Sequence, residues 1–226
     1  MMSTSTYTPP SRQSRRRRRR FPLVPVLLAV SFLLGLLVGY HLPRSDKGDE
    51  AGLDLAALLH KDPPEMPHWV TVDLLPENKY SRPGIELKEV NGIVVHYVGN
   101  PGTTAQNNRN YFADLAENGA AYASAHFVIG LDGEVIQCVP LDEIAYCSNS
   151  RNSDTISIEC CHPDEGGAFN QATYDSLVEL TAFLADYYGL TADEVIRHYD
   201  VTGKECPKYY VDNEDAWLRF KADVFD

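Results

Sequence analysis

"AHFVIGLDGEVIQCVP", Ala125–Pro140, holds two runs rich in β-branched and aromatic residues, with "LDGE" between them. The pair Asp132-Gly133 is a hairpin signal, because a tight turn needs residues that tolerate a left-handed backbone. Two antiparallel strands are expected here. On either side, "GIVVHYV" (Gly92–Val98) and "TISIEC" (Thr155–Cys160) have the same composition and are also bounded by turn residues. Helical patterns interrupt the strands. In "TYDSLVELTAFLADYYG" (Thr173–Gly189), Leu177, Leu180, Phe183, Leu184 and Tyr187 recur at i, i+3, i+4 spacing, and Gly189 stands at the C-cap. Shorter helices are expected near Gln106–Asn118 and Glu214–Val224. Strands interleaved with helices indicate a single mixed α/β domain over residues 68–226, a length suited to one compact core.

The N-terminal part has a different character. Residues 1–20 end in six consecutive arginines, Arg15–Arg20, and residues 1–40 contain seven Arg and no acid. "FPLVPVLLAVSFLLGLLVGY", Phe21–Tyr40, carries no charge and has the ~20-residue length of a bilayer-spanning helix. It exceeds the ~7–15 apolar residues of a signal peptide, and no A-x-A-like cleavage site follows it. Basic residues before an apolar span stay in the cytoplasm. The expectation is a single-pass membrane anchor over 21–40, with a basic cytoplasmic tail over 1–20 and an extracytoplasmic body. Residues 41–67, charged and dotted with Gly and Pro, look like a linker with one short helix around Leu53–Leu59.

The charge balance restricts partners. The chain has 20 Lys+Arg and 32 Asp+Glu; without the seven N-terminal Arg, 13 basic residues face 32 acidic ones. A body this acidic repels phosphate, which excludes non-specific nucleic-acid binding.

The candidate chemistry is scattered. "RHYDVTGKECPKYY" (Arg197–Tyr210) gathers His198, Lys204 and Cys206, and the breaks at Gly203 and Pro207 make a loop the expected conformation. The His198–Cys206 spacing matches no zinc-finger pattern, but a catalytic zinc needs only three protein ligands, and the third can be distant in sequence. His96, near the end of an apolar strand, is either that third ligand or a satisfied core histidine. Glu159, near the end of "TISIEC", is either an edge-strand carboxylate facing water or a general base with a raised pKa. His41, His60 and His68 fall in the linker or at its edge and suggest no site. Five cysteines leave one unpaired in any disulfide scheme. Cys160 and Cys161 are too close in sequence to bridge each other easily, and a Cys138–Cys147 pair is open.

"GIVVHYVGNPGTTAQNNRNYF", "ASAHFVIGLDGEVIQCVPLDEIAY", "NSDTISIECCHP" and "VIRHYDVTGKECP" occur in this order from about Val70 to the C-terminus. Together they resemble the zinc-dependent N-acetylmuramoyl-L-alanine amidases, the family of phage amidase lysozymes and animal peptidoglycan recognition proteins. The resemblance implies a central mixed β-sheet flanked by helices. It also implies a Zn2+ ion held by His96, His198 and Cys206, with Glu159 as general base and Lys204 as oxyanion partner. The implied substrate is peptidoglycan, at the amide between N-acetylmuramic acid and L-alanine. One position departs from the pattern: some members carry a catalytic tyrosine where this chain has Ala125, which puts more of the proton transfer on Glu159. His126 should point to the opposite face of its strand from that position. Two alternatives stand beside the amidase reading: a non-catalytic peptidoglycan-binding module, and a zinc peptidase acting on the stem peptide.

Overall fold

A computed structural model describes residues 63–226. The anchor expected over 21–40 and the helix expected around Leu53–Leu59 lie outside the described residues. Among the described residues, no helix is long and apolar enough to cross a membrane.

Six strands form one sheet: β1 (Val70–Val72), β2 (Ile93–Tyr97), β3 (Phe127–Ile129), β4 (Val135–Gln137), β5 (Ile156–Cys160) and β6 (Val195–Arg197), in spatial order β1-β4-β3-β5-β2-β6. The β3–β4 hairpin is antiparallel, as the Asp132-Gly133 signal requires, and Gly133 takes the left-handed φ of 81° at the turn. β3, β5, β2 and β6 run parallel to one another, and β1 runs parallel to β4. The sheet is therefore mixed. Its two outermost strands, β1 and β6, have three residues each, too few for an alternation pattern to stand out.

Alternation along the central strands divides the two faces. Ile93 and Val95 of β2, Phe127 and Ile129 of β3, and Ile156, Ile158 and Cys160 of β5 belong to one apolar cluster. That cluster is completed by α2 (Gln171–Tyr188) through Leu177, Leu180 and Leu184, and by α5 (Glu214–Phe225) through Trp217, Phe220 and Val224. Burying one such side chain contributes about 1.5–3 kcal/mol. Of the five expected apolar positions of α2, Phe183 is only partly buried and Tyr187 is outside the cluster; Tyr188 packs against it instead. The linker expected up to residue 67 ends slightly earlier, since Met66 already packs on this core.

The opposite face carries a smaller apolar cluster, including Val128, Ile136 and Cys138, closed by Ala105 and Phe112 of α1 (Ala105–Asn118). α1 begins at a capping box in which the Thr104 side chain accepts from the N–H of Asn107 and the Asn107 side chain accepts from the N–H of Thr104. Gly119 ends it in the left-handed conformation.

The expected loop over Arg197–Tyr210 is corrected. Arg197 closes β6, α3 spans His198–Thr202, and α4 spans Lys208–Asp212. Gly203 and Pro207 do not break a helix from within; they mark the ends of two short ones. Gly203 is the left-handed C-cap of α3, and Pro207 precedes the first turn of α4. Arg197, buried, holds these pieces together through Asp200 (2.9 Å), Glu214 (2.6 Å) and the carbonyl of Tyr210 (2.8 Å).

Candidate metal and catalytic centre

Strand register assembles the site. β2 and β5 are parallel neighbours with His96 opposite Glu159, so both side chains project from the same face. On the other side of β2, Val95 pairs with Arg197, and the next residue along β6 is His198, the first of α3. Three functional residues thus line up across the C-terminal ends of adjacent strands. β5 lies between β3 and β2, so Glu159 is on a central strand, and the edge-strand alternative is excluded. Cys206 is brought in by the short segment after α3, where the Tyr199 N–H donates to the Cys206 carbonyl at 2.9 Å.

His96, His198 and Cys206 are buried, and their donor atoms lie within 4.8 Å of one another. The His96 and His198 ring centroids are 4.7 Å apart. Asn149 Oδ1 accepts from His198 Nε2 at 2.8 Å. An amide oxygen can only accept, so the ring proton is on Nε2 and the Nδ1 lone pair remains open. His198 Nδ1 is buried and has no hydrogen-bond partner. His96 Nε2 contacts Ser148 Oγ at 3.1 Å, and its Nδ1 faces Cys206 Sγ at 3.8 Å. Ligands at zinc distances in a tetrahedral site stand roughly 3.3–3.8 Å apart. Two imidazole nitrogens and one sulfur, one of them an orphaned buried lone pair, fit a catalytic zinc with one coordination position left over. His96 is buried, with Ser148 at one ring nitrogen and Cys206 at the other, and it stands beside His198.

Burial shapes the protonation states. It depresses the pKa of His96 well below the usual histidine value, helped by the neighbouring His198 and Lys204, and it lowers that of His198 as well. Both shifts favour the neutral ring, the form that offers a lone pair. Burial pushes the Cys206 thiol up to about 12, so an arriving cation must displace its proton. Glu159 is half-buried. Its Oε2 is shielded and without a partner, its Oε1 accepts from Cys147 Sγ at 3.5 Å, and burial raises its pKa to about 8. Lys204 is exposed, yet its charge acts on His96, His198, Glu159 and Cys206.

His126 stands apart from this centre. It is buried with its Nδ1 accepting from the Ser157 N–H at 2.9 Å and its Nε2 against the Glu143 carbonyl at 2.9 Å. Ala125 is packed in the smaller apolar cluster. All five cysteines are free: Cys138 belongs to that cluster and Cys147 faces Glu159, so the open Cys138–Cys147 pairing is not formed. Sequence reasoning missed Cys147, Ser148 and Asn149. They occupy the gap between two recognisable stretches, and the available signal was a run of small polar residues that resembles an ordinary turn.

The fold and site together define a mixed α/β domain in which two histidines and a cysteine that could hold a metal ion stand beside a half-buried carboxylate. A family model described as N-acetylmuramoyl-L-alanine amidase matches residues 86–209, and the chain belongs to this family. A probable N-acetylmuramoyl-L-alanine amidase of Bacillus licheniformis is 36% identical over 159 residues, covering 65% of this chain and 44% of its own length. The N-acetylmuramoyl-L-alanine amidase BlyA of Bacillus subtilis (strain 168) is 34% identical over 175 residues, covering 68% of this chain and 46% of its own. The chain thus spans less than half the length of these curated relatives. The solved catalytic domain of XlyA superposes with a TM-score of 0.58 at 26% identity, over 69% of this chain and 98% of that one.

Proposed function

We propose that this protein is a zinc-dependent N-acetylmuramoyl-L-alanine amidase that hydrolyses the amide between N-acetylmuramic acid and L-alanine in peptidoglycan. The observation that carries the reading is the orphaned Nδ1 of His198 converging with His96 and Cys206 beside the unpartnered Oε2 of Glu159. His96, His198 and Cys206 would hold the ion, and zinc there supplies Lewis acidity and activates water near neutral pH. Glu159 takes a proton from water at its open carboxylate oxygen and returns it to the leaving amine; burial raises its pKa to about 8 in the metal-free fold, and a cation beside it would favour the ionised form that a base needs. Lys204 stabilises the oxyanion that develops on the scissile carbonyl. A binding module without catalysis would have no need of a base aimed at the metal position.

The decisive assay is digestion of purified peptidoglycan with product analysis. New L-alanine amino termini without new reducing sugars are expected. New amino termini within the stem peptide alone would identify a peptidase instead, and no products at all would leave the binding module.

The same proposal includes an anchor. Phe21–Tyr40 spans the cell membrane with Met1–Arg20 in the cytoplasm, the charged stretch from residue 41 tethers the domain, and the α/β domain acts outside on the wall. Protease added to intact, wall-stripped cells should remove everything after Tyr40; protection of that region would refute this topology.

A further inference from the structure

Three consecutive residues reach three different functional groups. Cys147 Sγ lies 3.5 Å from Glu159 Oε1, Ser148 Oγ lies 3.1 Å from His96 Nε2, and Asn149 Oδ1 lies 2.8 Å from His198 Nε2. Side chains of neighbouring residues ordinarily diverge. Here they converge because Asn149 adopts a left-handed φ of 53°, the only positive φ at a non-glycine among the described residues. Asparagine tolerates that conformation better than most residues. The turn is held from one side by Asn152, whose Oδ1 accepts from the N–H of Cys147 at 3.1 Å and of Ser148 at 2.6 Å. It leads into β5 through Thr155, which donates to the Arg151 carbonyl at 2.6 Å. The element that supports the metal ligands is thus tied to the strand that carries Glu159.

We propose that Cys147, Ser148 and Asn149 form a positioning bracket: Ser148 and Asn149 orient the two histidine ligands, and Cys147 holds the Glu159 carboxylate. The outer nitrogen of a ligating histidine fixes both tautomer and ring orientation. Asn149 does this for His198 by accepting at Nε2, which leaves Nδ1 to the metal. Ser148 does it for His96. Cys147 donates a weak S–H bond to one carboxylate oxygen and leaves the other open. Burial keeps the thiol protonated and so able to donate.

Only the Cys147 arm rests on the amidase reading, because zinc affinity can be measured without substrate. The test uses competition with a chromogenic chelator on the full chain, plus turnover on purified peptidoglycan. Asn149→Gly suits the left-handed backbone but removes the acceptor; zinc affinity should fall about 10–100-fold. Asn149→Asp keeps the acceptor and should retain affinity. Ser148→Ala should show the same loss as Asn149→Gly. Cys147→Ala should bind zinc like the wild type, with kcat lowered and KM unchanged, and Cys147→Ser should restore kcat because a hydroxyl also donates. Asn149 is exposed, so its pair of variants reports on orientation without disturbing the core. Wild-type zinc affinity in both Asn149→Gly and Ser148→Ala would overturn the histidine arms. Wild-type kcat in Cys147→Ala would overturn the carboxylate arm, and zinc loss in that variant would make Cys147 a ligand instead of a positioning residue. Intact zinc affinities with no activity on peptidoglycan in the wild type would overturn the amidase reading and the carboxylate arm together.

Discussion

Glu159→Gln should make the metal-free protein more stable at neutral pH and the zinc enzyme nearly inactive. In the metal-free fold, burial raises the Glu159 pKa from 4.5 to about 8, and no hydrogen bond compensates Oε2. An acid whose folded pKa lies above its unfolded value opposes folding. The penalty is absent below about pH 4.5, grows as the unfolded chain releases its proton, and levels off above about pH 8. At about 1.4 kcal/mol per pH unit, the rise between pH 4.5 and 7 has an upper limit of about 3 kcal/mol. Solvent at the cleft reduces this, so about 1–3 kcal/mol is expected. Glutamine does not titrate. Its amide adds a pH-independent offset that cancels when the two pH profiles are compared. The assay is urea denaturation of chelator-treated wild type and variant from pH 4.5 to 8, with stability extrapolated to water. The variant should gain on the wild type steadily across that range. In parallel, zinc-loaded Glu159→Gln should lose about 10²–10⁴-fold in turnover with its zinc retained. Parallel stability profiles would show that Glu159 is not buried as described. Near-normal turnover would show that it is not the base.

Zinc binding near pH 7 should release about one to two protons per ion, because the Cys206 thiol is pushed up to about 12 and Glu159 to about 8; calorimetry in buffers of different ionisation enthalpy counts them, and zero release would exclude Cys206 as a ligand. Lys204→Ala should lower turnover about 10²–10³-fold with zinc content unchanged, and steady-state kinetics with metal analysis would detect the opposite pattern. The metal-free fold should also lose stability as pH falls from 6.5 to about 4. His126, held near 4 by burial, stays neutral while the unfolded chain protonates, costing about 3 kcal/mol over that range. Denaturation of His126→Gln should show a correspondingly flatter acidic limb. Leu180→Ala, at a fully buried position of α2, should cost about 2–5 kcal/mol by thermal or urea denaturation without affecting zinc stoichiometry.

Much of the fold was legible because it rests on local rules. The Asp132-Gly133 turn, the β-branched composition of "TISIEC" and the stripe through Leu177, Leu180 and Leu184 are each local signals that a few residues suffice to reveal. The two edge strands were not legible, since three residues held by one neighbouring strand leave no periodic trace. Nor were α3 and α4: these five-residue helices are tied down by the buried Arg197, which pairs with Asp200 of α3 and donates to the Tyr210 carbonyl of α4, and Gly203 and Pro207 equally describe a loop.

The residue types of the centre, two histidines, a cysteine, a carboxylate and a lysine, could be picked out along the chain, and the family resemblance implied that they meet. Local composition and spacing did not show how. His96 and Glu159 are 63 residues apart, and His96 and Cys206 are 110 apart. What joins them is the register of β5, β2 and β6, a consequence of long-range pairing that local propensity does not encode. The same holds for Cys147, Ser148 and Asn149. As letters they are a polar turn, and they become partners of Glu159, His96 and His198 because a left-handed backbone at Asn149 and the Asn152 clamp turn three successive side chains toward one centre. Local composition specifies which elements form, while the chemistry depends on contacts between residues far apart in the chain, whose geometry is set when the sheet closes.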